Sequence, residues 1–375
     1  MVEEIKKKKN RSRRPLRVPD NYVWKILDAL VKDFEKSGCA TNGTVDVIVA
    51  KLKQSIRLRD IQAYIELCES DLSLPSLNRW EVDDNINSTV EVIRWLRLFT
   101  IAQKYDFPNS PYDQKTAALD SFYKFEDLCR KTNQDPLFDC FHVDTDSDSC
   151  IDDVFVFPVF EHCRDFIRNV LGDNCDFAIF SDASRHGPGA TSAKSGQNSI
   201  PINKFCPPLD VTLEAQDLFT RVIADDHRWC RSLYENYKSS TFPKYEQNKS
   251  LLELGVYPNV PIDYVILNRQ YSRILFVPKN AKTLRGIAAE PTGNVYCQLS
   301  LNDYVRQRLC YFGINLKTQA KNQALSKIGS ETNSLVTLDL SGASDSVALC
   351  WLKLFPPVWA ELLRTLRCEE GMLDE

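Results

Sequence analysis

Two short stretches combine residue types that can handle phosphate. In residues 273–290, RILFVPKNAKTLRGIAAE, the cations Lys279, Lys282 and Arg285 gather around a turn that Pro278 opens. Cations on a rigid frame can clamp a triphosphate, because a charge-assisted hydrogen bond is about twice as strong as a neutral one. A solvated charged turn is the competing reading of the same residues. In residues 335–346, LVTLDLSGASDS, Asp339 closes an apolar run and Asp345 follows it. A carboxylate projecting off the end of an apolar strand needs a cation or donors to offset its desolvation. Magnesium is the natural partner for a carboxylate that handles phosphates. For Asp345 the plainer alternative is a favourable interaction with a helix dipole.

The elements that must hold these residues follow from periodicity. Ile274 and Phe276 alternate with Leu275 and Val277, and alternation resumes over 284–289, so a β-hairpin or two neighbouring strands are expected. Behind it, Thr292 or Asn294 can cap a helix whose Leu301, Val305, Leu309 and Phe312 share a face and which Gly313 ends. Arg306 and Arg308 fall off that stripe. Val336, Leu338 and Leu340 facing one way, with Thr337 and Asp339 facing the other, predict a strand that Ser341 and Gly342 break. A helix should follow, with Val347, Trp351, Leu354 and Phe355 on one face and Pro356-Pro357 stopping it.

Upstream the pattern is mostly helical from residue 22 to about 139. Trp24, Leu27, Ala29, Leu30, Val31 and Phe34 mark one face, and Val90, Val92, Ile93, Leu96 and Leu98 another. Asp144, Asp146 and Asp148 suggest an EF-hand, but Ser149 stands where the sharp turn needs Gly and Phe155 where a bidentate Glu is needed. That reading is rejected in favour of an acidic surface loop. Cys140, His142, Cys150, His162 and Cys163 match no standard zinc spacing. The Gly/Ser-rich run 181–199 must be a loop, and its segment GATSAKS resembles a Walker A loop in which Ala193 replaces the glycine before Lys194. The substitution blocks close backbone approach to phosphate. His186 in this run reads as a loop hydrogen-bonder.

The 375 residues are 43% hydrophobic and 26% charged, which excludes wholesale disorder and suggests two or three domains. No apolar run is long enough to span a membrane, and the basic N-terminus has no apolar stretch behind it, as a secretory signal would. Thirteen cysteines at irregular spacings, without a CxxC, read as free thiols in a reducing compartment. The net charge of −4 conceals two basic regions. Residues 1–17 hold Lys6 to Lys9, Arg11, Arg13, Arg14 and Arg17 against Glu3 and Glu4, and residues 271–330 oppose nine cations to Glu290 and Asp303. Both suit contact with phosphates.

LVTLDLSGASDSVALCWLKLFPP resembles motif A of the RNA-directed RNA polymerases of leviviruses, the replicase beta subunits of small positive-strand RNA phages. VPKNAKTLRGIAAEPTGN is similar to that family's motif F, YVRQRLCYFGINLKTQAKNQALSKIGS continues the likeness, and RHGPGATS is similar to a glycine-rich segment upstream. The clear match covers about residues 184–357, and the first 140 residues match weakly. The resemblance implies an α+β right-hand polymerase, with fingers and the start of a palm present and the C-terminal palm and thumb missing. It divides the chain into a basic disordered arm (1–20), a mostly helical region (21–145), fingers with the basic hairpin (146–330) and the start of the palm (331–375).

By the same resemblance Asp339 is the catalytic and metal-binding aspartate, and Asp345 reads the ribose 2′-OH of the incoming nucleotide. Lys279, Lys282 and Arg285 bind the triphosphate and the leaving pyrophosphate. The implied cofactor is Mg2+, with Mn2+ able to replace it. The implied partners are an RNA template, NTPs, host elongation factors Tu and Ts and a ribosomal protein, in the host bacterial cytoplasm and without a membrane. The family continues to a motif B and a Gly-Asp-Asp strand-turn-strand that these 375 residues lack. The expectation is therefore an incomplete chain, inactive alone and poorly folded beyond about residue 335. Two other readings are carried: a non-catalytic RNA-binding protein using the arm and hairpin, and a degenerate P-loop NTPase dependent on Lys194.

Overall fold

The computed structural model describes residues 20–35, 43–70, 111–138, 156–182, 185–206, 209–236, 249–256 and 266–373, with isolated positions between 97 and 110. It is a mixed helix and strand structure of two compact units, Met1–Phe122 with Phe276–Ile287, and Tyr123–Leu275 with Ala288–Glu375. The basic arm, the acidic run 144–148, Cys140, His142, Cys150 and the apolar set Val90 to Leu96 lie outside the described residues.

In the first unit, helices α1 (Asp20–Glu35), α2 (Gly43–Leu58) and α3 (Ile61–Ser70) pack in sequence. Of the predicted face of α1, Leu27 and Val31 are buried and Trp24 and Leu30 half-covered, while Ala29 faces solvent; Val23, outside that prediction, is buried with them. Val49, Leu52 and Ile56 of α2 and Tyr64, Ile65 and Cys68 of α3 complete the cluster, together with Leu98 and, from far along the chain, Ala281. Short helices gain little from propensity alone, so this shared apolar face is what holds them.

The second unit is built around one long helix. Helix α4 (Gln114–Asn133) is followed by α5 (Val156–Leu171), α6 (Ala178–Asp182), strand β1 (Leu209–Val211), α7 (Leu213–Asp225) and α8 (His227–Asn236). Strand β2 (Ile266–Asn268) pairs in parallel with β1, Leu209 opposite Ile266. Strands β3 (Tyr271–Pro278) and β4 (Leu284–Ala289) form the predicted hairpin, and α9 (Thr292–Tyr311) follows directly. Then come α10 (Ala320–Thr332), α11 (Pro357–Thr365) and β5 (Glu370–Leu373), which joins β3 in parallel to give the order β4-β3-β5.

Helix α9 packs against β1, α5, α6 and α7. Leu301 is buried as expected and Val305 and Leu309 pack at the core margin, but Phe312 is largely exposed and meets Phe166 edge-on. Gly313 ends the helix at φ +79°, a conformation that glycine adopts without a Cβ penalty. Neither Thr292 nor Asn294 is the cap. Pro291 occupies that position, and the first free N–H, that of Thr292, is taken at 2.9 Å by the carboxylate of Asp210 on β1. A buried anion at a helix N-terminus meets both the orphan donor and the positive end of the dipole.

Past residue 335, where poor folding is expected, residues 335–347 are mostly exposed without helix or strand, whereas the stretch from Ala348 to Cys368 is packed. The 3-10 turn Leu349–Leu354 ends just before Pro356-Pro357, as expected, and Pro357 then begins α11, since proline fits the first helical turn; Trp359 and Leu366 are buried in the main core. The Trp359 indole donates to the Gly172 carbonyl at 2.9 Å.

Candidate functional site

The basic turn 279–283 sits on the β3–β4 hairpin. A connection this short permits only antiparallel pairing. Lys279 and Arg285 are exposed and Lys282 is half-buried, its ammonium 5.3 Å from the centre of the Tyr112 ring. The Asn280 side-chain oxygen accepts the N–H groups of Lys282 and Thr283, both at 2.9 Å, and the Asn280 N–H donates to the Thr283 carbonyl. An Asx turn of this kind was visible in the sequence as an asparagine after Pro-Lys. Ser110 and Gln114 were not: Ser110 Oγ donates to the Ala281 carbonyl at 2.5 Å, and the Gln114 amide donates to the carbonyls of Asn280 and Ala281 at 2.8 and 3.0 Å. Ala281 is buried among the helices of its unit.

The glycine-rich loop is not a phosphate cradle. Three amides of its GATSAKS segment are spent on protein acceptors: Thr191 N–H on the Lys194 carbonyl, Ser192 N–H on the Glu290 carbonyl and Lys194 N–H on Thr191. Lys194 is buried, and burial lowers its pKa. Lys204, also buried, donates to the carbonyls of Gly187 and Gly189 and so pins the loop from below. Thr191 meets Thr292 at 2.9 Å and the Ser192 hydroxyl donates to Asp210, which ties the loop to the start of α9. The P-loop reading fails on these bonds.

His186 is not a hydrogen-bonding loop residue either. It is buried between Phe205, Trp229 and Tyr296, with ring centroids 4.6, 5.2 and 4.7 Å away, and neither ring nitrogen has a protein partner. Burial first, and then the nearby Lys204 and Arg228 charges, push its pKa down to about 3, so the imidazole is neutral. Asp226 raises it slightly. Beside it, burial raises the Asp226 carboxyl but hydrogen bonds from Arg228 and Tyr296 outweigh that and hold it below the ordinary value.

Residues 335–340 form neither helix nor strand and pair with no strand among the described residues, so the predicted strand is not formed. Val336, Leu338 and Leu340 are 83%, 81% and 73% exposed, because alternation can bury a face only where partner strands supply one. Asp339 lies exposed on this segment. The turn 341–346 follows, and the predicted helix is a 3-10 turn, Leu349–Leu354. Asp345 is exposed just before it.

Helix α4 lies beneath this turn with one face, Phe125, Cys129 and Asn133, at helical spacing. Gly342 has φ +60°, and a Cβ there would run into the Phe125 ring. The Cys129 thiol donates to the Asp345 carbonyl at 3.4 Å, and the Asn133 oxygen accepts the Cys350 N–H at 2.9 Å. Lys279, Lys282 and Arg285 thus share the first unit, and Asp339 and Asp345 the second. Among the described residues no group of three His, Cys, Asp or Glu side chains is placed to hold a metal ion.

Comparison with known proteins identifies the scaffold that carries these features. The family model described as RNA replicase, beta-chain matches residues 71–375. The chain is 30% identical over 276 residues to the RNA-directed RNA polymerase subunit beta of Enterobacteria phage SP, covering 73% of this chain and 42% of that protein. It is 32% identical over 189 residues to the RNA-directed RNA polymerase beta chain of Enterobacteria phage GA, covering 50% of this chain and 31% of the relative. With the subunit beta of Escherichia virus Qbeta the identity is 47% over 107 residues, or 28% of this chain and 18% of the relative. The matched stretches therefore span less than half of each relative's length. The chain belongs to the RNA replicase beta-chain family.

Proposed function

We propose that this chain is part of an RNA-directed RNA polymerase that replicates a phage RNA genome from an RNA template and NTPs. It would supply the fingers and the start of the palm of a right-hand fold. The observation that carries the reading is the basic hairpin, whose turn is hydrogen-bonded at its backbone and presents Lys279 and Arg285 to solvent beside Lys282. Preorganised cations are what stabilisation of a triphosphate and its departing pyrophosphate requires, since phosphoryl transfer is mostly positioning and charge neutralisation.

Asp339 would be one ligand of Mg2+, or of Mn2+ in its place. Its exposed carboxylate suits a hard cation that usually takes one or two carboxylates and fills its remaining positions with water and substrate phosphates. The described residues alone offer no fuller ligand set. Such an ion would supply charge neutralisation at the reacting phosphate. Asp345 would accept from the ribose 2′-OH, the group that distinguishes RNA from DNA. Host elongation factors Tu and Ts, a ribosomal protein and the bacterial cytoplasm belong to the same reading. No helix among the described residues is long and apolar enough to cross a membrane.

The test is Asp339→Ala in a replicase containing this chain, assayed on a primed RNA template with NTPs and magnesium. Synthesis should fall by at least about a hundredfold, the scale of losing an electrostatic group at a reacting centre. Undiminished synthesis refutes the metal role. Salt-sensitive RNA binding with no nucleotide incorporation by the unsubstituted replicase favours a non-catalytic RNA-binding protein instead.

A further inference from the structure

We propose that residues 110–114 are a clamp that sets the shape of the basic turn for triphosphate binding, with Gln114 its main positioning residue. The proposal rests on reading that turn as a triphosphate site. The peptide unit joining Ala281 to Lys282 is held at both ends. Its carbonyl accepts from Gln114 Nε2 and Ser110 Oγ, and its N–H donates to the Asn280 side chain at 2.9 Å. The preceding carbonyl, that of Asn280, accepts from the same Gln114 amide. The Ala281 methyl is buried in the helical cluster, so the turn cannot swing out without exposing it.

Lys279 and Lys282 flank these fixed peptides and inherit their orientation. Lys282 is further restrained over the Tyr112 ring, a contact weak enough to yield to phosphate oxygens. The clamp comes from 166–171 residues earlier in the chain and adds, to the local bonds of Asn280, donors for the Asn280 and Ala281 carbonyls. Ordering the cations before the ligand arrives removes an entropic cost that would otherwise fall on binding. Gln114 touches no substrate in this scheme, and its effect passes through Lys282.

The experiment is calorimetric titration of the 375-residue chain with inorganic triphosphate, in a double-mutant cycle of Gln114→Ala and Lys282→Ala. Lys282→Ala should weaken binding about tenfold, the scale of one charged hydrogen bond. Gln114→Ala should weaken it about fivefold, and the pair hardly more than Lys282→Ala alone, because a mispositioned lysine has little left to lose. Gln114→Glu, similar in shape but without the amide donor, should match Gln114→Ala. A Gln114→Ala affinity equal to wild type overturns the clamp, and so do losses that simply multiply, as a general loss of folded protein would give. If Gln114→Ala abolishes cooperative unfolding, Ser110→Ala takes its place in the cycle under the same criteria. A chain that binds no triphosphate, or whose Lys282→Ala form binds it undiminished, sinks the triphosphate reading on which the clamp rests.

Discussion

His186 gives the structure a pH dependence that can be worked out in advance. The fold holds a neutral imidazole among three aromatic rings, with its pKa lowered from 6.5 to about 3. Below 6.5 the unfolded chain takes up a proton that the folded chain refuses until about pH 3, so stability falls as pH falls across that window. Between pH 7.5 and 5 the unfolded imidazole goes from mostly neutral to mostly charged while the folded one stays neutral. The resulting loss is about 2 kcal/mol, at 1.36 kcal/mol for each pH unit of differential protonation. The charges facing the ring are Lys204, Arg228 and Asp226; the two cations reinforce the shift and Asp226 opposes it.

Other carboxylates titrate nearby, so the comparison must be differential. Glu290, whose pKa burial raises against the pull of Gln298, the Cys368 N–H and Arg367, contributes with the opposite sign. Urea unfolding of wild type and His186→Phe at pH 7.5 and pH 5 isolates the imidazole, because phenylalanine keeps an aromatic ring and cannot titrate. Wild type should lose about 2 kcal/mol more than the variant between the two conditions. Equal losses would show that the ring is solvated or protonated in the folded state, and the burial argument would be wrong.

Two further substitutions test the framework around the site. Asp210 is wholly buried and accepts from the Thr292 N–H and the Ser192 hydroxyl while lying 3.3 Å from Arg269, so Asp210→Ala should cost about 3–5 kcal/mol in chemical unfolding. A cost below about 1 kcal/mol would mean water replaces those bonds freely. Gly342→Ala places a Cβ against Phe125 at a positive φ, so it should destabilise the chain by about 1–3 kcal/mol and speed amide exchange in the turn before Asp345. Gly342→Ala combined with Phe125→Leu should recover part of that loss, and no recovery would place the strain in the backbone alone.

Where neighbours in sequence are also neighbours in space, the amino-acid pattern was sufficient. The β3–β4 hairpin, the course of α9 to Gly313 and the buried stripe of α1 all follow from alternation, from a 3.6-residue period or from a left-handed glycine, and the structure has each of them. The motifs around Lys279 and Asp339 likewise pointed to the family. What the tertiary structure decided depends on contacts that no local pattern encodes. The apolar run 335–340 has a strand's alternation but, among the described residues, no partner strand, and a strand is defined by its ladder. The cap of α9 comes from Asp210, 82 residues away, and the hold on the basic turn from Ser110, 171 residues away. A loop that resembled a phosphate cradle has its lysine buried, three of its amides bonded to protein acceptors and its histidine sealed among aromatic rings. A sequence shows which groups a segment carries; whether they remain available depends on which distant donors, acceptors and apolar surfaces the fold brings to them.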